Sequence, residues 1–446
     1  MDIRTQKFFI LGVSKSGYSA CEYLLNKNAE CYIFEELKSA KIEQAINTLT
    51  SLGAKIVQTE NYEQTLSQID VLIISPGVPI NHPVAVKAKE LGKRIIGELE
   101  FAFSQFVPTI IGVTGTNGKT TTVNLIDSIL NESSIKSRLV GNVGVPVTSK
   151  LNESTKEDIF VTEVSSFQLE SVNAFCPHIS CILNISPDHL ERHYTMDNYV
   201  FLKKRIFKNQ RESEFCVLNY DDILIRGFFP EIRAKVIWVS LTEQVEGAYR
   251  LGGKIYYKNE FILNEDQLKL KGEHNLCDTL FAIACAKLLE CPNERIVNAL
   301  VNFKGIKHRM EFIGCKDNVN YFNDSKATNT ASTINALQTL KEPTILILGG
   351  SEKGEKYIQL FENIKKSAVK SVILTGASRF NMLDDAGKCG FYEITLTKKF
   401  EDAVRIAKVM ANAGENVLLS PACASFDEFS GYEERGEKFI ELLGEM

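Results

Sequence analysis

Residues 109–122 read Thr109-Ile110-Ile111-Gly112-Val113-Thr114-Gly115-Thr116-Asn117-Gly118-Lys119-Thr120-Thr121-Thr122. An apolar run meets a glycine-bearing loop and then a lysine and threonines suited to open a helix. Backbone N–H groups in such a loop converge on one concavity, and the helix N-terminus adds the positive end of a dipole. Lys119 can reach the terminal phosphates of a nucleotide and the Thr120 hydroxyl can ligate Mg²⁺, with Gly115, Thr116, Asn117, Gly118 and Thr121 completing the cradle. A strict G-x-x-x-x-G-K-[ST] pattern needs glycine where Val113 stands, and the glycines fall instead at 112, 115 and 118. The loop therefore belongs to a particular branch of phosphate binders.

Two further clusters follow. Glu163 closes an apolar run, and an acid at a strand's carboxyl end beside a phosphate loop is placed to hold Mg²⁺. Asn184-Ile185-Ser186-Pro187-Asp188-His189 is another strand edge, where Pro187 fixes a turn and projects Asp188 and His189. Tyr199–Phe207 reads as the start of an amphipathic helix, on which spacing alone makes Lys203 a surface cation. Farther on, Arg309 and Asp324 sit near an expected domain junction, where a guanidinium and a carboxylate can clamp ATP phosphates and ribose as a domain closes. Cys423 has no histidine nearby and reads as packing.

These groups need sheets to carry them. The first hundred residues alternate apolar runs (Lys7–Gly12, Glu30–Phe34, Val71–Ser75) with amphipathic stretches, which predicts parallel βαβ units. Gly12-Val13-Ser14-Lys15-Ser16-Gly17 after the first strand is close to a dinucleotide fingerprint, with Ser14 in place of the middle glycine and Glu35 at the end of the second strand. Either a nicotinamide nucleotide or another phosphate-bearing handle fits that pattern. A break near Gln105–Pro108 precedes the phosphate loop. Strands at Asp158–Glu163, Ile179–Asn184 and Glu214–Asn219 predict a second parallel sheet, and residues 236–270 predict a small antiparallel appendage. Helices are expected at His274–Leu289 and Glu294–Phe303. A third alternating unit, with strands at Thr344–Leu348, Ser371–Leu374 and Asn416–Ser420, begins near His308. The expected architecture is α/β with three domains: Rossmann-like at 1–105, a central P-loop ATPase-type sheet with its appendage at 106–307, and Rossmann-like again at 308–446.

A chain of 446 residues exceeds what one hydrophobic core supports. A formal charge of −5 offers no basic field for nucleic acid. Eleven cysteines without a C-x-x-C pair fit thiols in a reducing compartment, hence a cytoplasmic protein, rather than a disulfide frame or zinc site. No apolar stretch is long enough for a membrane span, and no dimerisation stripe is evident, which favours a monomer.

Taken together, Gly112–Thr120, Gly141-Asn142-Val143-Gly144, Glu163 with Ser165-Ser166-Phe167-Gln168, Ser186–His189 and Lys203 resemble the Mur ligases of peptidoglycan synthesis, and most of all their D-glutamate-adding members. The resemblance covers all three domains. It implies an ATP-dependent amide ligase that joins D-glutamate to UDP-N-acetylmuramoyl-L-alanine through an acyl phosphate. It further implies that Lys203 reacts with CO₂ to form a carbamate and, with His189, holds one of two Mg²⁺ ions. The other ion would lie between Thr120, Glu163 and ATP. Lys119, His189 and Lys203 are then the catalytic set. Ser14, Lys15, Ser16, Gly17, Glu35, Asn142, Ser165, Gln168 and His189 fall to the UDP substrate, and Asn275, Arg309 and Asp324 to ATP. Asp278 departs from an asparagine usual in the adenine-side segment. Thr328, Lys353, Ser425 and Tyr432 fall to D-glutamate, although phenylalanine is familiar at the last position. Another ligase on the same scaffold, such as a different Mur ligase or a folylpolyglutamate synthase, and a non-catalytic nucleotide-binding regulator are the alternatives.

Overall fold

The computed structural model describes residues 3–105, 108–270, 272–352 and 356–444. Lys353 lies outside the described residues, as does the centre of the expected break at 105–108. The chain forms two compact units. One holds residues up to 268 together with 275–303, and the other holds 269–274 and 304 onward.

The first unit contains two sheets. Strands β1 (Lys7–Leu11), β2 (Glu30–Phe34), β3 (Lys55–Ile56), β4 (Val71–Ile74) and β5 (Arg94–Gly97) form a parallel sheet in the order β3-β2-β1-β4-β5. β1 and β4 are continuous apolar runs because both of their faces are covered by helices. The order reverses beside β1, and ligands of such sheets bind at that switch point, outside the carboxyl ends of the strands.

The second sheet comprises β6 (Thr109–Thr114), β7 (Ser137–Gly141), β8 (Ile159–Glu163), β9 (Ile179–Ile182), β10 (Phe215–Asn219), β11 (Lys235–Ser240), β12 (Gly247–Leu251), β13 (Lys254–Tyr257) and β14 (Glu260–Asn264). Their order is β14-β13-β12-β11-β10-β9-β6-β8-β7. The antiparallel appendage is present as β12–β14, but it is not detached. β11 pairs parallel with both β10 and β12, so the hairpins prolong the central sheet. β6 lies between β8 and β9, which brings the phosphate loop, Glu163 and Asn184 to one edge. The helix expected from Tyr199 starts earlier, at Met196, because the Thr195 side chain caps it by accepting from the Asn198 N–H. It ends at Lys204 and buries Tyr199, Leu202 and Lys203.

The helix Glu98–Gln105 ties the two sheets together. Glu98 Oε1 accepts from the Thr148 N–H (2.6 Å) and hydroxyl (2.8 Å), while the Glu100 carboxylate accepts from the N–H groups of Asn173, Ala174 and Phe175 at 2.9–3.1 Å. Burial pushes the Glu98 carboxyl up to about 7, against the lowering effect of the Thr148 donors.

The second unit has β15 (Glu311–Lys316), β16 (Val319–Asn323), β17 (Thr344–Gly349), β18 (Val369–Thr375), β19 (Ile394–Leu396) and β20 (Asn416–Leu419), ordered β15-β16-β20-β17-β18-β19. Only β15 pairs antiparallel within this sheet. Asp324, Gly350 and Ser420 thus follow neighbouring strands at one carboxyl edge.

Candidate active site

The phosphate loop is held in shape by its own cations and by the end of β9. Lys119 Nζ donates to the carbonyls of Gly115 (2.9 Å) and Thr116 (2.7 Å). Asn184 Oδ1 accepts from the Asn117 N–H at 2.9 Å, and its Nδ2 donates to the Asn117 carbonyl at 3.1 Å. The Thr116 hydroxyl accepts from the Ser186 N–H and lies 3.1 Å from the Tyr199 hydroxyl. Gly118 caps the helix Lys119–Glu132 at φ +85°, and a Cβ there would stand 2.2 Å from Asp278 Oδ1. Position 118 is therefore closed to side chains on two counts. The aspartate at 278 lies against the phosphate loop itself.

Beside the loop, Thr120 donates to Glu163 Oε2 (2.8 Å) and Asn142 Nδ2 donates to Oε1 (2.8 Å). Glu163 is buried, with one oxygen turned to the helix N-terminus at Thr120 and the other to Asn142. A carboxylate and a hydroxyl at this place form a hard oxygen set of the kind Mg²⁺ takes, and so fit the ion expected there.

Lys203 corrects the spacing argument, which made it a surface cation. It is 1% exposed, and its Nζ donates to the Gly115 carbonyl at 2.7 Å and lies 4.6 Å from the centre of the Tyr199 ring. Burial holds its ammonium well below the usual lysine range, and the charge of Lys119 lowers it further, while Asp188 and Glu163 oppose. The neutral amine is the form that attacks CO₂, so the site fits the expected carbamate.

His189 is less closely engaged. It adopts φ +53°, and its Nε2 and Nδ1 lie 3.6 and 3.5 Å from carboxylate oxygens of Asp188 and Glu191. Among the described residues, no hydrogen bond or ion pair joins it to Glu163 or Lys203, and no group of three His, Cys, Asp or Glu residues forms a metal site.

At the first sheet, Ser75 Oγ donates to the Gly12 carbonyl at 2.7 Å, and a Cβ on Gly17 would fall 1.9 Å from that same oxygen. Gly12 has φ +85° whereas Ser14 has φ −66°, so the missing middle glycine costs the loop nothing. The Glu35 carboxylate accepts from the N–H groups of Val13 and Leu37, both at 2.8 Å, bracing the loop from inside. Lys15, Ser16 and Gly17 open the helix Lys15–Asn26, for which Ser14 is the N-cap residue. Ser165 and Gln168 engage each other in a reciprocal capping box at the start of a short helix.

In the second unit, Asp324 is buried. It accepts from the Ser420 hydroxyl (2.7 Å) and the Met310 N–H (3.1 Å), and burial pushes its carboxyl up to about 6 against the charge of Arg309. His274 is pushed down to about 4 by burial and by the Arg309 charge. Thr328 follows in the same loop, its N–H donating to the Lys326 carbonyl. Lys326 lies 5.3 Å from the centre of the Tyr432 ring, and the Tyr432 carbonyl accepts from Ser325 Oγ. Ser425 is buried at the end of the β20 loop. Asn275 is buried in the first unit, on the helix Glu273–Leu288. Cys423 is packed in the core.

Sequence reasoning passed over Arg435, which is buried and donates to the carbonyls of Ser325 and Cys423 at 2.8 and 3.0 Å. It also missed Tyr199 and the clamping role of Asn184, although Asn184 stands in the cluster that carries His189.

A parallel sheet with this loop and its threonine–glutamate pair, preceded and followed along the chain by Rossmann-like sheets, defines the three-domain ligase scaffold of the Mur type. Residues 6–97 match the MurD-like N-terminal domain of Mur ligases, 113–286 the Mur ligase middle domain, and 308–423 the Mur ligase glutamate ligase domain. The chain belongs to the Mur ligase family. It is 40% identical over 457 residues to the UDP-N-acetylmuramoylalanine–D-glutamate ligase of Clostridioides difficile strain 630, covering 100% of both chains. It is 38% identical over 449 residues, again with 100% of both chains, to the ligase of that name from Caldanaerobacter subterraneus subsp. tengcongensis. Among solved structures, UDP-N-acetylmuramate-alanine ligase of Thermotoga maritima shares the fold with a TM-score of 0.62 at 18% identity, over 98% of each chain. MurF ligase of the same organism, in complex with ADP, gives 0.62 at 16%, over 99% of this chain and 98% of that one.

Proposed function

We propose that this chain is an ATP-dependent ligase that adds D-glutamate to UDP-N-acetylmuramoyl-L-alanine in peptidoglycan precursor synthesis. The observation that carries this reading is the convergence on Gly115 of two lysines, Lys119 and the buried Lys203, beside the Thr120–Glu163 pair. The domains run over 1–105, 106–307 and 308–446. The chain works as a cytoplasmic monomer, and none of its described helices is long and apolar enough to cross a membrane.

A carboxylate has a poor leaving group and must be activated before an amine can displace it. The terminal carboxylate of UDP-N-acetylmuramoyl-L-alanine attacks the γ-phosphorus of ATP in line, forming an acyl phosphate as ADP departs. The D-glutamate amine then attacks the acyl carbon, loses a proton, and the tetrahedral intermediate expels phosphate. Lys119 turns from the loop carbonyls to the phosphates and offsets the charge that develops there. The loop N–H groups from Gly115 to Thr121 orient the nucleotide. Asn275 faces the adenine side, and Arg309 and Asp324 engage phosphate and ribose. Ser14, Lys15, Ser16, Gly17 and Glu35 receive the UDP portion of the substrate, and Asn142, Ser165, Gln168 and His189 its sugar side. Thr328, Lys353, Ser425 and Tyr432 hold D-glutamate. Thr120 and Glu163 would hold one Mg²⁺, and His189 with a carbamate on Lys203 a second. When bound, these ions supply charge neutralisation at the phosphates.

An acceptor screen with UDP-N-acetylmuramoyl-L-alanine, ATP and Mg²⁺ tests the reading. Phosphate release is expected with D-glutamate and not with L-glutamate, L-lysine or diaminopimelate. Release with another acceptor, or no release with D-glutamate, overturns it.

A further inference from the structure

Segment 188–195 carries His189 and also makes two contacts with the loop that follows β4. Arg192 spends its fork on both sides of the seam. Nε and Nη2 donate to the two Glu170 oxygens at 2.9 and 2.5 Å, while Nη1 donates to the Gly77 carbonyl (3.3 Å) and Nη2 to the Val78 carbonyl (3.1 Å). The guanidinium lies 4.4 Å from the centre of the Phe167 ring, and the His189 ring lies 4.8 Å from the same ring. Arg192 and His189 thus share Phe167 as a neighbour.

Tyr194 makes the second contact. It is 71% exposed and adopts φ +67°, a conformation that a bulky side chain takes only under strain. Its hydroxyl accepts from Asn81 Nδ2 at 3.0 Å. Between the two contacts is a cleft of about 320 Å³, lined by Pro79, Ile80, Asn81, Tyr194 and Leu202.

The loop so held is not remote from the first glycine turn, since Ser75 grips the Gly12 carbonyl two residues before Gly77. Contacts therefore run without a gap from Gly12 through Ser75, Gly77, Arg192 and Phe167 to His189.

We propose that Arg192 and Tyr194 are positioning residues. They strap the loop 76–82 to the segment that bears His189, and so set the distance between the UDP end of the substrate and the carboxylate to be phosphorylated. This rests on the ligase reading above. A two-ended substrate needs that distance fixed, because a displacement of about 1 Å at the reacting centre can cost on the order of a hundredfold in rate.

The full-length protein and four variants, Arg192→Gln, Arg192→Lys, Tyr194→Phe and Tyr194→Gly, are compared by initial rates, by calorimetric titration with UDP-N-acetylmuramoyl-L-alanine, and by melting temperature. Arg192→Gln is expected to raise KM for the UDP substrate about tenfold and to lower kcat, leaving KM for ATP within about twofold. Arg192→Lys should recover part of the loss. Tyr194→Gly, which relieves the φ, should melt at or above the parent temperature while its KM for the UDP substrate rises about threefold. Tyr194→Phe should show the same KM without the gain in melting temperature. Equal rises in both KM values, or a fall in melting temperature with unchanged KM, would make the contacts merely structural and overturn the proposal. If Arg192→Gln does not fold, the two Tyr194 variants decide. A parent protein that binds no UDP substrate in the titration defeats the ligase reading instead, which separates the two failures.

Discussion

Lys203 and Glu98 are both almost fully buried in the first unit, and burial drives each toward its neutral form. The surroundings decide what neutrality is for. Lys203 stands against the phosphate loop with Lys119 as a like-charged neighbour, so its neutral amine faces the place where the reaction would occur. Glu98 stands in the seam between two sheets, with Thr148 donating to Oε1 and no hydrogen-bond partner for Oε2 among the described residues. Its neutral form is only the cheaper way to fill the seam. Perturbed titration thus marks a site only where the group also faces reacting atoms.

Four variants probe that contrast. Lys203→Ala should lower turnover by about 10³-fold or more, with partial return on adding short carboxylic acids; steady-state rates with and without acetate or formate measure this. Full activity without rescue would place Lys203 in the same structural class as Glu98.

For Glu98 the expected signature is in stability. Its folded carboxyl titrates near 7 and its unfolded one near 4.5, so the folded state binds the extra proton between those values. The associated stability is present below pH 4.5 and is lost as pH rises through 7. Glu98→Gln should remove that slope, a difference on the order of a few kcal/mol, read by denaturant unfolding of both proteins at several pH values. Activity should persist in this variant.

Gly118→Ala tests the reacting side without touching a charge. A Cβ close to Asp278 at positive φ should cost about 1–3 kcal/mol and raise KM for ATP, measured by thermal melts and initial rates. Thr148→Val tests the seam. Loss of one hydroxyl donor to Glu98 should cost about 1 kcal/mol and leave both KM values alone.

Much of the frame was legible because its signals are local. Apolar runs bounded by glycine and proline located β1, β2, β4, β6, β8, β9, β10, β17 and β20 to within a residue or two. Short or half-exposed strands such as β3 and β19 carry little apolar signal and escaped. Glu163 and the phosphate loop were legible by residue type and order. Lys203 was not, since three consecutive cations, Lys203, Lys204 and Arg205, look alike on a helix until packing selects the one that enters. Glu98, Glu100 and Arg192 were hidden for a different reason. Thr148, Phe175 and Val78, which they reach across the seam, lie 50 or more residues away, and an acid in the first turn of a helix ordinarily complements the helix dipole in solvent.

The Glu100 carboxylate takes three successive N–H groups from a segment some seventy residues downstream. A protein fragment ending before the phosphate loop would carry that acid with nothing to receive it, and the complementary fragment would expose a ring of donors with no acceptor. The first two sheets differ in sequence signature, yet they belong to one compact unit. What reads as a boundary along the chain lies inside that unit, and Glu100 is one of the groups that close it.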